Sequence, residues 1–342
     1  MLTRRHSAFF LLSLFVLVSF SVGCSPIIKA PGPAIQMPEF HAENNHLVMA
    51  DGVTLPLYTW KAERPEAVVL ALHGFNDYGT FFEKFAGYLN QHNVAAYSYD
   101  QRGFGASPDT GYWAGRAAYI SDAKAALDLI RARHPGIPIF CFGESMGGAV
   151  LLAAASEDGQ APLQTDGIIL AAPAIWGRET MSWYQTLALW FAAHTMPGMT
   201  LSGEGLDIWP SDNIEMLRAL NRDPLIIKDT RIDTIWGLVN LMDTALDSAT
   251  DFHARSLILY GERDEIIEKQ PTQIMLARLP NSPKEKRTIA TYENGYHMLI
   301  RDLKAQIVWD DILVWIKNPD TLALPSGSEI RVKDFITEIE TN

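Results

Sequence analysis

The sequence predicts an α/β protein in which a mostly parallel β-sheet is flanked by helices and covered by an inserted helical cap. Strand-like and helix-like segments alternate along most of the 342 residues, which is typical of βαβ units. The alternation stops between Pro173 and Thr250 and then resumes. A chain that is 48% hydrophobic and 20% charged is long enough to bury one large core and to carry an inserted subdomain.

The core is predicted over residues 41–175 and 250–318. It opens with a hairpin, because two strand-like runs flank the turn dipeptide Asp51-Gly52. Buried strands follow at residues 67–72, 94–99, 137–142, 167–172, 256–260 and 287–292. The helices between and after them are predicted at residues 81–91, 114–133, 270–279 and 303–317.

The cap is predicted over residues 176–249, with helices at 181–194, 213–220 and 230–246 and no comparable strand. It is rich in large aromatic residues, most of which we expect to fill the joint between cap and core. These are Trp176, Trp183, Trp190, Phe191, Trp209 and Trp236. The tail, residues 319–342, is polar and is expected to be peripheral.

Residues 1–24 have the pattern of an export signal. Arg4 and Arg5 form a basic start, an apolar run covers residues 8–20, and small residues lead to Cys24. Cys24 resembles the lipidated cysteine of bacterial lipoproteins, although Ser21 stands where leucine is usual. The alternative is an ordinary secretory signal with a coincidental cysteine.

Residues 25–40 are proline-rich and are predicted to be a tether between this signal and the domain. Lipidation of Cys24 would make the protein a membrane-anchored lipoprotein of the bacterial cell envelope. Without lipidation, the export signal predicts a secreted or periplasmic protein.

Charge and cysteine content restrict the partners. The formal net charge of −12 argues against nucleic acid and against electrostatic attraction to anionic lipid. Cys24 and Cys141 are the only cysteines in the sequence, so no intramolecular disulfide is expected if Cys24 is acylated. No clustered cysteine, histidine or aspartate spacing indicates a metal, and no cofactor is predicted.

The strongest motif is Gly143-Glu144-Ser145-Met146-Gly147, a G-x-S-x-G between a strand and an alanine-rich helix. A serine at the apex of such a turn needs small neighbours, because side chains two residues away on either side would collide. The motif therefore predicts a nucleophile elbow at Ser145, with the positive end of the next helix directed at it.

Two later loops supply candidates for the partners that a serine nucleophile needs, a base and a carboxylate. Asp264 follows one predicted strand and His297 follows the next, so both should lie at the same sheet edge as Ser145. Three other carboxylates compete for the acid role: Glu262, Glu265 and Glu268.

With these residues, the chain resembles the α/β-hydrolase superfamily, specifically its monoacylglycerol lipase and lysophospholipase-like branch, over about residues 41–317. The resemblance implies that Asp264 orients His297, since Gly261, Asp264 and the following isoleucine pair match the family pattern. It also implies an oxyanion hole formed by the N–H groups of Met146 and Phe75, the latter following a His-Gly segment. A D-x-R-G-x-G-x-S loop at residues 100–107 matches as well, and we interpret it as structural.

The resemblance implies hydrolysis of a single-chain acyl lipid, a monoacylglycerol or a lysophospholipid, through an acyl-serine intermediate. Two alternatives stay open at this stage. A serine aminopeptidase on the same scaffold would need a cap carboxylate for the substrate amine, for which Glu179, Glu204 and Glu215 are candidates. A catalytically silent envelope-binding protein is disfavoured by the complete serine, aspartate and histidine set.

Overall fold

The computed structural model describes residues 25–156, 163–203, 205–280, 287–321 and 323–336. Its strands are β1 (Glu39–His41), β2 (His46–Val48), β3 (Thr54–Trp60), β4 (Ala67–Leu72), β5 (Val94–Tyr99), β6 (Ile139–Glu144), β7 (Gly167–Ala171), β8 (Thr200–Ser202), β9 (Asp229–Arg231), β10 (Ser256–Gly261), β11 (Arg287–Tyr292) and β12 (Glu329–Ile330). Its helices are α1 (Glu83–Gln91), α2 (Arg116–Arg133), α3 (Met146–Ala155), α4 (Trp183–Thr195), α5 (Ile214–Arg222), α6 (Ile232–Ser248), α7 (Lys269–Arg278), α8 (Ala305–Lys317) and α9 (Val332–Ile336).

The main sheet has the order β1-β2-β3-β5-β4-β6-β7-β10-β11-β12 within these described ranges. The strands from β5 to β11 in this order pair in parallel, and the outer strands pair antiparallel. The central strands are apolar on both faces, because alternate side chains enter two different cores. In β4, for example, Leu70 belongs to one buried cluster and Val69 to the other. The predicted α/β fold is therefore confirmed.

The cap differs from prediction in one respect. Its three helices, α4, α5 and α6, are present, but β8 and β9 form an antiparallel pair that the sequence analysis did not predict. Each strand has only three residues, and β8 is exposed along its length. The sequence therefore has no alternation of apolar and polar side chains that would predict the two strands. Helix α6 packs against α3 and fixes the cap to the core.

The tail is not peripheral, contrary to the prediction. Strand β12 extends the sheet beside β11, with Ile330 opposite Ile289. Phe335 in α9 is buried against the ring of Tyr260, and its carbonyl accepts a hydrogen bond from Gln273 Nε2 at 2.7 Å. Scattered apolar residues in a polar context carry too weak a pattern to predict such docking.

The start of the described chain runs along the domain. Ile27 N donates to Asp233 Oδ2 at 3.3 Å, and Lys29 N donates to the carbonyl of Trp113 at 2.8 Å. Residues 1–24, which contain the predicted signal and Cys24, lie outside the described residues. No helix of the described residues is long and apolar enough to cross a membrane.

Candidate active site

Ser145 lies at a strained turn between β6 and α3. Its φ of 52° and ψ of −113° are outside the backbone regions that L-residues normally adopt. The turn is held from both sides, because Ser145 N donates to the carbonyl of Ala171 at 3.0 Å and the Ser145 carbonyl accepts from Ala149 N at 3.1 Å. The backbone thus holds the serine at the edge of the sheet, at the N-terminus of a helix.

The two motif glycines are required for space, as the sequence analysis expected. A Cβ on Gly143 would lie 2.5 Å from the nitrogen of Gly148. A Cβ on Gly147 would overlap the carbonyl oxygen of Leu72 in β4. Any side chain at either position would therefore push the elbow away from the sheet.

His297 and Asp264 form a buried pair at the ends of β11 and β10. His297 Nδ1 lies 2.8 Å from Asp264 Oδ2, and Asp264 Oδ1 accepts the N–H groups of Ile266 and Ile267 at 2.8 and 2.9 Å. Because an ionised carboxylate only accepts hydrogen bonds, Nδ1 carries the proton and Nε2 is left as an acceptor.

The environment raises the pKa of His297. Burial of the imidazole lowers its pKa, but the charge of Asp264 and its hydrogen bond, together with the charge of Glu144, outweigh this effect. The pKa of His297 therefore lies above its ordinary value of 6.5.

Burial distinguishes Asp264 from its neighbours in the same loop. Glu262, Glu265 and Glu268 are exposed, whereas Asp264 is buried. Glu265 accepts the backbone N–H of Trp209 at 2.8 Å. The predicted acid is thus the one of these four carboxylates that contacts His297.

The two predicted oxyanion donors belong to the loop after β4 and to the start of α3. A Cβ on Gly74 would lie 3.4 Å from Ser145 Cβ, so the loop after β4 approaches the serine closely, and Phe75 lines the same cavity. Met146 is the first residue of α3. Within the described residues, neither the Phe75 N–H nor the Met146 N–H donates a hydrogen bond, and both can serve an oxyanion.

The loops behind these donors are joined by hydrogen bonds and an ion pair. His73 Nδ1 donates to the carbonyl of the next residue at 2.8 Å, and its Nε2 accepts from Gln101 N at 3.0 Å. Asp100 accepts two further backbone N–H groups at 2.8 and 2.9 Å. Arg102 forms a buried ion pair with Asp122 at 2.6 Å. The loop of residues 100–107, which the sequence analysis interpreted as structural, is thus bonded to the loop after β4.

A cavity of about 530 Å³ lies between this edge and the cap, within the size range of small-molecule sites. Ser145 and His297 both line it, together with three charged side chains. The rest of the wall is apolar and comes mostly from the cap. Its large apolar members are Phe75, Trp176, Met181, Leu189, Ile235, Leu238, Val239, Met242, Ile266, Ile267 and Met298.

The sequence analysis missed the residue that links the loops of this site. Arg301 is buried and donates to Asp77 Oδ2 at 2.7 Å and to Glu144 Oε1 at 2.5 Å. It therefore joins the loop that carries His297 to the oxyanion loop and to the elbow. In the sequence, Arg301 is only a positively charged residue after the apolar stretch Met298–Ile300. That pattern does not identify its partners.

A second missed feature holds the His297 loop to the cap. Ser211 Oγ donates to Asp302 Oδ1 at 2.6 Å, and Asp302 Oδ2 accepts the N–H of Tyr296 at 2.8 Å. Nearby, Met298 N donates to the carbonyl of Pro210 at 2.9 Å. The loop that carries His297 is thus bonded to the core through Arg301 and to the cap through Asp302.

Other candidate groups contribute nothing to this edge. No group of three or more histidine, cysteine, aspartate or glutamate residues in the described part of the chain could hold a metal ion. Cys141 is buried in β6, where burial raises the pKa of its thiol to about 12. It is a neutral core residue.

Comparison with known proteins agrees with this architecture. The model of the family described as serine aminopeptidase, S33, matches residues 63–304. The monoglyceride lipase of Rattus norvegicus is 25% identical over 280 residues, which cover 80% of this chain and 90% of that protein. A phospholipase of Bacillus subtilis is 24% identical over 256 residues, covering 74% and 96%. The crystal structure of a soluble variant of Saccharomyces cerevisiae monoglyceride lipase shares the fold, with a TM-score of 0.66 and 19% identity, over 87% of this chain and 99% of that one.

Proposed function

This chain belongs to the serine aminopeptidase S33 family of serine hydrolases, and on that premise we propose that it hydrolyses carboxylic esters of single-chain lipids. The substrates are monoacylglycerols or lysophospholipids. The observation that carries the proposal is that Ser145 and His297 line the same cavity as a large set of apolar side chains. Such a wall accepts an acyl chain, and the polar end accepts the ester.

The reaction proceeds through an acyl-serine. His297 Nε2 takes the proton of the Ser145 hydroxyl as its oxygen attacks the ester carbonyl, and Asp264 stabilises the imidazolium that forms. The N–H groups of Phe75 and Met146 stabilise the oxyanion. His297 then returns the proton to the leaving alcohol. Water, activated in the same way, releases the fatty acid and restores the serine.

The apolar wall favours an acyl chain over a polar substrate. Leu189, Leu238 and Met242 come from cap helices α4 and α6 and offer no hydrogen-bonding group to a peptide. The relatives named above, a monoglyceride lipase and a phospholipase, act on substrates that carry such chains. Both observations support lipid esters.

Of the carboxylates that the aminopeptidase alternative would need, none that the structure describes lines the cavity. Glu179 pairs with Arg278, Glu215 is exposed on α5, and neither lines the cavity. Glu204 lies outside the described residues. The carboxylates that do line the cavity beside the serine, Asp77 and Glu144, are both bonded to Arg301, so their charge is already balanced in part.

We place the protein in the bacterial cell envelope, held by a lipid on Cys24. The export-type pattern of residues 1–24 supports this proposal. Incorporation of radiolabelled palmitate into the full-length protein, absent in Cys24→Ser, is the expected result. Secretion of an unlabelled protein would instead indicate an ordinary signal sequence.

The substrate class is tested by activity on matched panels. We expect hydrolysis of monoacylglycerols and of p-nitrophenyl esters with long acyl chains, and little hydrolysis of aminoacyl p-nitroanilides. Faster cleavage of the anilides would reject the lipid-ester proposal and favour the aminopeptidase. Lysophospholipids in the same panel, with acyl chains matched to the monoacylglycerols, decide between the two lipid classes.

A further inference from the structure

A second cavity lies at the opposite edge of the sheet from Ser145. The parallel strands β4, β5 and β6 begin at this edge and end at the edge that carries the serine, so about 20 Å, the length of a six-residue strand, separates the two edges. The cavity has a volume of about 600 Å³. We call it the basic cavity, and its lining includes Lys61, Ala62, Ala95, Tyr97, Arg133 and His134.

The charged groups of the basic cavity are all positive, in a chain with a net charge of −12. No carboxylate of the described residues lines it, and none of the described ion pairs includes Lys61 or Arg133. The carboxylates in the loop between β3 and β4 do not neutralise these cations. Glu66 pairs with Lys317 at 3.7 Å, and Glu63 is exposed outside the cavity. The cavity is thus suited to an anion.

Arg133 is held in place by an aromatic ring. Its guanidinium lies over the ring of Phe40, 4.1 Å from the ring centre, and the same ring meets that of Tyr97 edge-on at 6.0 Å. A guanidinium that stacks on a ring keeps its N–H groups available in the plane of the group, where they can bind an oxyanion with two parallel hydrogen bonds. The arginine is therefore oriented before any ligand arrives.

Tyr97 and His134 add a neutral donor beside this cation. The Tyr97 hydroxyl lies 2.8 Å from His134 Nε2. Burial and the charge of Arg133 both lower the pKa of His134, which keeps the imidazole neutral at pH 7. The pair then carries two protons, of which one lies in the bond between them. The other, on Nδ1 or on the tyrosine oxygen, is left to donate to a ligand.

From these observations we propose that the basic cavity is a second ligand site, for the phosphate group of a monoester. Lys61 and Arg133 match the charge of such a group, which is close to −2 at neutral pH, and the guanidinium matches its geometry. Because Ala62 and Ala95 have small side chains, the cavity also has room for an organic part. Free phosphate and a phospholipid head group present the same chemistry. The distance from Ser145 makes this site independent of the proposed function.

Calorimetric titration of the full-length protein with glycerol 3-phosphate tests the site. The wild type should bind one molecule. Lys61→Gln/Arg133→Gln should bind it about tenfold more weakly or not at all, because charge-assisted hydrogen bonds are lost. The matched control, Arg64→Gln/Lys84→Gln, removes two exposed cations that do not line the cavity and should bind like the wild type. No binding by the wild type, or an equal loss in both variants, would overturn the proposal.

The melting temperature gives a second measure of binding. A ligand that binds only the folded protein raises it, so glycerol 3-phosphate should stabilise the wild type and the control but not Lys61→Gln/Arg133→Gln. Without the ligand, all three proteins should melt at similar temperatures, because the four substituted residues are exposed. Equal stabilisation of Lys61→Gln/Arg133→Gln would mean that the ligand binds elsewhere, and the proposal would fail.

Further titrations identify the source of the phosphate. Inorganic phosphate that binds as tightly as glycerol 3-phosphate would support free phosphate as the ligand. Stronger binding to phosphatidylcholine vesicles that contain phosphatidic acid than to vesicles without it, lost in Lys61→Gln/Arg133→Gln, would support a lipid head group. Acetate that binds as tightly as these phosphates would overturn the assignment to phosphate. Hydrolysis of p-nitrophenyl esters should be the same in the wild type and this variant, so failure of the proposed function would leave the site intact.

Discussion

The sheet edge that carries Ser145 and the cap that covers it are built by opposite means. At the edge, charged side chains are buried and paired, as in the contacts of Arg301 and of Asp264. In the cap, helix α4 presents large apolar side chains to solvent and buries a single residue. The charged groups at the edge are paired with one another, whereas the large apolar side chains of α4 are exposed.

From this contrast we expect the sheet edge to determine the catalytic chemistry and the cap to determine the choice of substrate. A buried network of ion pairs and hydrogen bonds has few alternative arrangements, so it holds reacting groups in place. Apolar walls tolerate changes in the size and shape of what they contact. Substitutions at the edge should therefore lower activity on every substrate, and substitutions in the cap should change the ranking of substrates.

Ser145→Ala should have the largest effect. Removing the nucleophile should lower kcat by about 10⁴-fold or more on all esters, since the oxyanion donors alone provide only residual catalysis. Labelling with a fluorophosphonate probe should disappear, while the melting temperature stays near that of the wild type. Undiminished ester hydrolysis in this variant would mean that Ser145 is not the nucleophile, and no labelling of the wild type would support a binding protein without catalytic activity.

Asp264→Asn should have the next largest effect, a loss of about 10⁴-fold in kcat. This is the size of effect seen when the acid of a serine protease triad is replaced by its amide. The pH profile gives a second readout. The base must be neutral, so wild-type kcat/KM should fall as the pH drops through the raised pKa of His297, above 6.5. The variant lacks the charge that raises this pKa, and its acid limb should move to lower pH.

Glu265→Gln is the matched control for that experiment, because Glu265 lies in the same loop but is exposed. Its oxygen accepts the Trp209 N–H, a bond that the glutamine carbonyl can keep. Its rate and pH profile should match those of the wild type. A loss at Glu265 as large as that at Asp264 would reassign the acid.

Arg301→Met should act mainly on stability. It leaves the buried carboxylates of Asp77 and Glu144 without their cation, a change that typically costs about 3–5 kcal/mol. Burial already raises the pKa of Glu144, against the opposing effect of Arg301, so loss of the arginine should raise it further. Because protonation relieves the unpaired charge, the destabilisation should be smaller at pH 5 than at pH 8.

Urea unfolding of wild type and variant at the two pH values measures this effect. The variant Arg301→Met/Glu144→Gln removes one of the stranded charges and should recover part of the stability at pH 8. A loss that is independent of pH, and unchanged in the double variant, would show that Arg301 stabilises the protein through packing and not through its charge.

The edge was more predictable from sequence than the cap, for a physical reason. Ser145, Asp264 and His297 each follow a strand, and parallel strands end at one edge, so local patterns were enough to bring them together. The bonds of Arg301 join residues far apart in the chain. No local pattern encodes such pairs.

In the cap, the apolar helical residues were identified correctly, but the prediction that they are buried was wrong for some of them. The sequence shows that Trp183 and Trp190 are apolar and helical, and burial is the usual consequence of that combination. Whether these side chains are buried or exposed depends on which other elements pack against α4, and only the tertiary structure reveals this. The pair of strands β8 and β9 was missed because each is too short for a periodic pattern.

The smallest effect is expected for a substitution in the cavity wall, which tests the contrast between edge and cap. Leu238→Phe adds bulk to a side chain of α6 that lines the cavity. It should lower kcat/KM for long-chain p-nitrophenyl esters about ten- to hundredfold relative to the acetyl ester, the range expected for a change of a few methylene volumes in an apolar pocket. Leu187→Phe makes the same change on the outer side of α4, where the residue is exposed and does not line the cavity, and should leave the chain-length profile unaltered. An equal loss on every ester in Leu238→Phe would mean that the cap also positions the catalytic groups, and the division between the two regions would then be wrong.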